Sequence, residues 1–232
     1  MPLQAKKVVI IGGSSGIGLA TAKAVSSAGA NVLIASRSEE KLRKAKAEIG
    51  GNTEMASLDI TQEKGVKDFF ERVGPFDHLV ITAAVVATGP FLKLDASAAR
   101  SVFDSKFWGQ YLAAKYAASK LKDGASITFF SGVASRKPFP FLSCFAAVNG
   151  AIEALCRSLA VELAPIRVNT VSPGVVVTPV YDGIPENKRT AYFDSISSKL
   201  PVRCIGQPED IAHTVLHLIE NVLSQIPVFG FG

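Results

Sequence analysis

The stretch that most constrains this chain is Gly12-Gly13-Ser14-Ser15-Gly16-Ile17-Gly18, which follows directly on the apolar run Val8-Val9-Ile10-Ile11. The apolar run reads as a buried strand, and 19–28 reads as the helix that leaves the turn. The glycines have a physical reason to be there. A side chain would block the tight turn, hold the backbone away from a phosphate, or wedge the helix off the sheet. Free amides at the helix start, aided by the helix dipole, then face an anion. A glycine loop alone is a weak signal, because flexible surface turns look similar. A strand before it, a helix after it and a place near the N-terminus favour phosphate binding.

The remaining chain alternates in the same way. Strands are expected at 32–35, 54–58, 78–81, 126–130 and 166–171, with a seventh at 225–229. Helices are expected at 39–49, 61–73, 97–121, 143–163, 188–200 and 208–220. Alternation with right-handed crossovers gives an α/β fold, a Rossmann-like doubly wound parallel sheet of about seven strands with helices on both faces. Residues 1–232 read as one domain, with a substrate lid around 175–207. Ligands of such sheets sit beyond the carboxyl ends of the strands, at the switch point. The glycine loop, Asp59, Thr82, Ala83, Ala84, Ser131, Pro173 and Gly174 all fall at expected strand ends and should line one crevice.

Composition narrows the classes. Hydrophobic residues make up 48% and charged residues 19%, which suits a fully buried sheet. No signal peptide and no apolar run of membrane-spanning length is expected. Cys144, Cys156 and Cys204 are scattered without metal-ligand spacing, so reduced thiols, a cytoplasmic location and no metal site are expected. Lys41, Arg43, Lys44 and Lys46 read as a solvated helix face, and nothing resembles a nucleic-acid or membrane-binding motif. His78, His213 and His217 lack the acid and serine pattern of a hydrolase. Phe139, Phe141, Phe145, Tyr181 and Phe193 suggest walls for a small apolar or aromatic substrate, although phenylalanines also fill cores.

After the second strand, a site choosing NAD normally offers a carboxylate to the adenosine ribose. Here the chain reads Ala35-Ser36-Arg37-Ser38, with no acid before Glu39. Ser36 can hydrogen-bond a 2′-phosphate and Arg37 can pair with it, so NADP(H) is favoured over NAD(H).

Several further pieces come in a familiar order: Leu58-Asp59-Ile60, Asp77-His78-Leu79-Val80, Arg157-Ser158-Leu159-Ala160, Arg167-Val168-Asn169 with Pro173-Gly174 and Thr178, and Gly206-Gln207-Pro208-Glu209-Asp210. With the glycine loop, they make the chain resemble the short-chain dehydrogenase/reductase family along nearly its whole length. The resemblance implies that Asp59 and Ile60 hold the adenine. It also implies that Pro173, Gly174, Val176 and Thr178 hold the nicotinamide amide, and that two long helices pair subunits into a homodimer or homotetramer.

The resemblance breaks at the proton-handling residues. The family uses a tyrosine, a lysine four residues later, a serine about thirteen residues upstream and an asparagine on the preceding long helix. Those positions here read Phe145, Asn149, Gly132 and Lys106. Phenylalanine has no ionisable proton. Two readings of Lys106 stay open: an exposed helix lysine whose stem snorkels to solvent, or an ammonium projecting into the cavity. Asn149 can still bond the nicotinamide ribose, and Ser131, one residue away, can stand in for the missing serine. Lys106, Ser131, Asn149 and Tyr181 are therefore the catalytic candidates. The expected function is an NADP(H)-binding oxidoreductase with a non-standard proton source acting on an apolar carbonyl, enone or imine. The alternative is a non-redox cofactor-binding protein: an isomerase or cyclase, a sensor, or a silent partner in an oligomer.

Overall fold

In the computed structural model, which describes residues 3–225 and 228–230, the first strand is β1 (Lys7–Ile11), and its alternate side chains face opposite ways. Val8 and Ile10 join one buried cluster, Val9 and Ile11 the other. The other strands are β2 (Asn31–Ser36), β3 (Thr53–Ser57), β4 (Phe76–Ile81), β5 (Leu121–Phe130), β6 (Arg167–Ser172) and β7 (Val228–Gly230). Burial runs along nearly all of β2, β4 and β6, whereas β3 at the sheet edge and the first residues of β5 are partly exposed. All pair in parallel, in the order β3-β2-β1-β4-β5-β6-β7. A parallel sheet needs a helix on each face to keep both sides dry. The helices α1 (Gly16–Ser27), α2 (Glu39–Ile49) and α8 (Pro208–Glu220) cover one face, burying Val25, Leu42, Ile211, Val215 and Leu218. The other face is covered by α3 (Glu63–Val73), α4 (Ala96–Val102), α5 (Gly109–Ala117) and α6 (Ser143–Glu162), with Phe69, Phe70, Val102, Ala113 and Ile152 inside. Each such aliphatic or aromatic side chain contributes about 1.5–3 kcal/mol on burial. The order of strands reverses at β1, which opens the crevice at the carboxyl ends of β1 and β4.

Several sequence expectations shift. The helix expected at 97–121 is α4, a π-helical segment Phe103–Trp108, α5 and a short 3-10 turn; Leu121 already belongs to β5, which starts earlier than expected because Leu121 pairs with Phe76. The helix expected from Thr61 begins at Glu63, since Thr61 is drawn back into a turn by Asp59. The helix expected at 188–200 is α7 (Glu186–Ser197). Of the seventh strand expected at 225–229, residues 226–227 lie outside the described residues; the strand itself occupies 228–230. One helix, α6, is long and apolar enough to cross a membrane by length and composition, although Asn149, Glu153 and Arg157 interrupt its apolar run. The structure gives a different reason for its hydropathy. It packs Val148, Ile152, Cys156 and Ala160 into the core, and it buries Asn149 and Glu153 as well. The basic face of α2 is solvated as expected, with Glu39–Arg43 and Glu40–Lys44 ion pairs one turn apart.

Candidate nucleotide and reaction site

The glycine loop is built so that no side chain would fit. Gly12 sits at φ +93°, and a Cβ on it would lie 2.7 Å from the Ala83 nitrogen. A Cβ on Gly18 would run into the Gly12 carbonyl and lie 2.6 Å from Thr82 Oγ1. Thr82 itself is bound to the end of β1, its amide donating to the Ile11 carbonyl at 2.8 Å and the Ala83 amide donating to the same oxygen at 3.2 Å. The next residues, Ala84 and Val85, are fixed by the Val85 amide donating to Ser105 Oγ at 2.9 Å. At the helix start Ser15 makes no side-chain cap, and α1 carries no acid in its first turn, so Ser14, Ser15, Gly16 and Ile17 present an uncompensated positive end. Thr178 closes over this loop: a Cβ on Gly16 would lie 3.3 Å from its Cγ2.

The surrounding crevice fits a dinucleotide. Ser36 Oγ is buried with no hydrogen-bond partner among the described residues, which leaves a hydroxyl for a ligand to satisfy. Arg37 beside it is exposed and enters no ion pair among the described residues. Asp59 Oδ1 accepts from the Thr61 amide (3.0 Å) and hydroxyl (2.7 Å), which fixes the carboxylate at the mouth of β3. Ile60 packs against Gly109, where a Cβ would lie 2.9 Å from Ile60 Cγ2. On the far side the Val133 amide donates to the Pro173 carbonyl at 3.0 Å, and Val176 bridges to Gly206, whose carbonyl accepts the Val177 amide at 3.0 Å. Gly174 lies between these two anchors.

Lys106 is not the exposed lysine of the first reading. It is only 7% exposed, on the π segment, and its Nζ donates to the Ser131 carbonyl at 2.9 Å while lying 5.2 Å from the Phe145 ring centroid. Burial brings its pKa down to about 8. Its neighbour Gln110 clamps the same corner, donating to the Lys106 and Phe130 carbonyls (2.9 and 3.0 Å) and accepting the Phe130 amide (2.9 Å). Asn149 is buried with its Oδ1 unpartnered among the described residues, and its amide fills the space beside Gly132. Ser131 offers this corner its carbonyl, because its hydroxyl donates to Glu153 Oε1 at 2.9 Å. Tyr181 packs tilted against Tyr192 and edge-on against Phe193, with centroids 5.8 and 5.2 Å away. Burial, with Tyr192 adding, pushes its hydroxyl up to about 12, a poor acid near neutrality. Of the expected apolar walls, Phe145 is half-buried in the core, whereas Phe139 and Phe141 are exposed.

A family model described as enoyl-(acyl carrier protein) reductase matches residues 12–226. The short-chain dehydrogenase/reductase ATR9 of Stachybotrys chlorohalonatus is 33% identical, over 94% of this chain and 92% of its own length. This chain belongs to the short-chain dehydrogenase/reductase family. Among solved structures, a small-chain dehydrogenase in complex with NADPH is 38% identical with a TM-score of 0.86, covering 98% of this chain and 97% of its own. The MalC reductase/Diels-Alderase of Malbranchea aurantiaca is 29% identical with a TM-score of 0.92, covering 100% and 96%.

Sequence reasoning gave no role to two buried polar residues of this short-chain dehydrogenase/reductase. Arg167 is buried and donates to the Leu218 (2.6 Å), Ile219 (2.9 Å) and Ser224 (3.3 Å) carbonyls, closing the end of α8. Glu153 is buried under β5 and β6, where Ser131, Ser135 and Ser172 hydroxyls converge on its Oε1. One signal was present: Glu153 lies one helical turn after Asn149, on the same face. Its partners are distant in sequence, so nothing local announced the cluster.

Proposed function

We propose that this short-chain dehydrogenase/reductase binds NADP(H) and reduces an apolar carbonyl, enone or imine, with Lys106 as the proton source. One observation carries the reading: the Lys106 ammonium is buried between the Ser131 carbonyl and the Phe145 ring, with its pKa near 8. Such a group is mostly protonated at pH 7, yet releases a proton far more readily than a free lysine. The glycine loop, Asp59, Ile60 and Pro173 to Thr178 would hold the dinucleotide. Ser36 and Arg37 would take a 2′-phosphate, and the similarity to an NADPH complex supports that choice. Asn149 would turn its free Oδ1 to a ribose hydroxyl.

When bound, the reduced nicotinamide supplies a hydride to the substrate carbon. Lys106 gives a proton from Nζ to the oxygen, enolate or nitrogen that gains the electron pair, becomes a neutral amine, and is reprotonated from water. Phe145 has no ionisable proton and serves as an apolar wall. Following NADPH absorbance against ketones, enones and imines tests the reading, with oxidation of NADPH by at least one class as the expected result.

A second reading has a specific observation behind it. The Ser131 and Tyr181 hydroxyls are both engaged or poorly acidic, which leaves Lys106 as the one readily titrating group among the four candidates. A non-redox isomerase or cyclase needs no more than that, and similarity to a reductase/Diels-Alderase agrees with it. Tight NADPH binding without oxidation by any substrate class would favour this reading over reduction. For assembly, we propose a homodimer or homotetramer through α4–α5 and α6, since Trp108 is 49% exposed and packs edge-on against Phe107 and Tyr111. A monomer by sedimentation would rule that out. A cytoplasmic location is proposed on the reduced thiols of Cys144, Cys156 and Cys204.

A further inference from the structure

We infer that Glu153 is a positioning residue that aims Lys106 by holding Ser131, an inference that rests on Lys106 as the proton source. Its Oε1 accepts hydrogen bonds from Ser131 Oγ (2.9 Å), Ser135 Oγ (2.7 Å) and Ser172 Oγ (3.4 Å), and Arg136 Nη2 stands 3.7 Å away. These donors come from the end of β5, the turn after it and the end of β6. A carboxylate this buried is costly unless it is well bonded, and here one oxygen gathers three hydroxyls and a guanidinium. The cluster therefore ties together the two strand ends that border the reaction corner.

Ser131 is the hinge between that cluster and Lys106. Its hydroxyl donates to Glu153, its amide donates to the Val171 carbonyl at 2.9 Å, and its carbonyl accepts Lys106 Nζ at 2.9 Å. Turning the Ser131 carbonyl away from Lys106 would strain both other bonds. Glu153 thus sets the direction of the one oxygen that anchors the ammonium. Among the described residues no carboxylate touches Lys106 itself. Among the described residues the charged groups tied to Ser131 are Glu153 on α6 and, through it, Arg136 in the turn after β5; Asp104, on the π segment itself, is exposed. An anchored ammonium is favoured over the free amine, so loosening Ser131 should lower the titration midpoint of Lys106.

The experiment titrates the lysine side chains of the whole protein by NMR with carbon-labelled lysine, the Lys106 signal being assigned by its loss in Lys106→Met. Glu153→Gln and Ser131→Ala are both expected to move that midpoint down by about one pH unit, the scale of one charge-assisted hydrogen bond. Circular dichroism checks that each variant is folded, and Ser131→Ala carries the test if Glu153→Gln is not. An unmoved midpoint in folded Ser131→Ala overturns the inference. So does a shift in Glu153→Gln alone, which would assign the effect to charge and not to Ser131. Failure to oxidise NADPH with any ketone, enone or imine would sink the reductase reading while leaving this titration result to stand or fall separately.

Discussion

The side-chain amide of Asn149 occupies the space that a side chain at Gly132 would need: a Cβ there would lie 2.9 Å from Asn149 Nδ2. Gly132 has φ 170°, an extended backbone that any residue adopts, so the neighbouring amide and not the dihedral demands a glycine. The two positions are coupled. Gly132→Ser alone should push the amide aside and destabilise the fold by about 1 kcal/mol. Combined with Asn149→Ala, the serine should be accommodated. Urea unfolding of the two single variants and the double variant should give a coupling of about 1 kcal/mol, and strictly additive effects would contradict the packing.

Ser36 and Arg37 make a cofactor prediction that leaves the fold alone. Arg37 is exposed and Ser36 Oγ has no partner among the described residues, so neither side chain contributes bonding that the folded state needs. Arg37→Ala should weaken NADPH binding by about tenfold to a hundredfold, the loss of a charge-assisted fork on a phosphate, and leave NADH binding unchanged. Fluorescence titration of both nucleotides decides it. Equal affinities for the two in the parent protein would reverse the cofactor assignment.

His78 predicts the acid limb of stability. It is buried with its Nδ1 2.9 Å from Ser126 Oγ, and burial, with the Arg167 cation adding, pulls its pKa from 6.5 to about 4. Between those values the unfolded chain binds the extra proton and the folded chain does not. Stability present above pH 6.5 is therefore lost as the pH falls toward 4, by up to about 3 kcal/mol. In His78→Gln, denaturant midpoints measured from pH 7 to 4 should fall less steeply than in the parent protein.

The sheet was legible because its signals are local. Val8 to Ile11, Val32 to Ala35 and His78 to Ile81 are short apolar runs that only burial on both faces explains, and the glycine loop fixes where the first of them ends. The crevice at the carboxyl ends of β1 and β4 followed from the strand ends alone. The reaction corner was half legible. The residue types at 106, 132, 145 and 149 could be read off, but whether Lys106 pointed in or out depended on a π segment that no pattern of spacing announces. Glu153 stayed hidden for a related reason. Its worth comes from Ser131, Ser135 and Ser172, which only the crossing of β5, β6 and α6 brings together.

Lys106 should link stability and catalysis with opposite signs. Its ammonium is buried, which lowers its pKa from an ordinary 10.5 to about 8. Between these values the unfolded chain holds a proton that the folded chain has released, so stability rises as the pH climbs from 8 to 10.5. Below 8 the folded protein carries the cost of a buried cation. Lys106→Met removes that cost. At pH 7 the variant should be more stable than its parent by about 2 kcal/mol, the burial cost less the lost bond to the Ser131 carbonyl. The advantage should fade as the pH approaches 10.5. The same substitution should cut the rate of reduction by about a hundredfold, the usual scale for losing a positioned general acid. In the parent protein kcat for reduction should fall as the pH rises through about 8. Urea unfolding and steady-state rates across this range test both halves. A stability gain that does not vary with pH would mean that the Lys106 ammonium is not buried as a cation, and the proton-source role would fall with it.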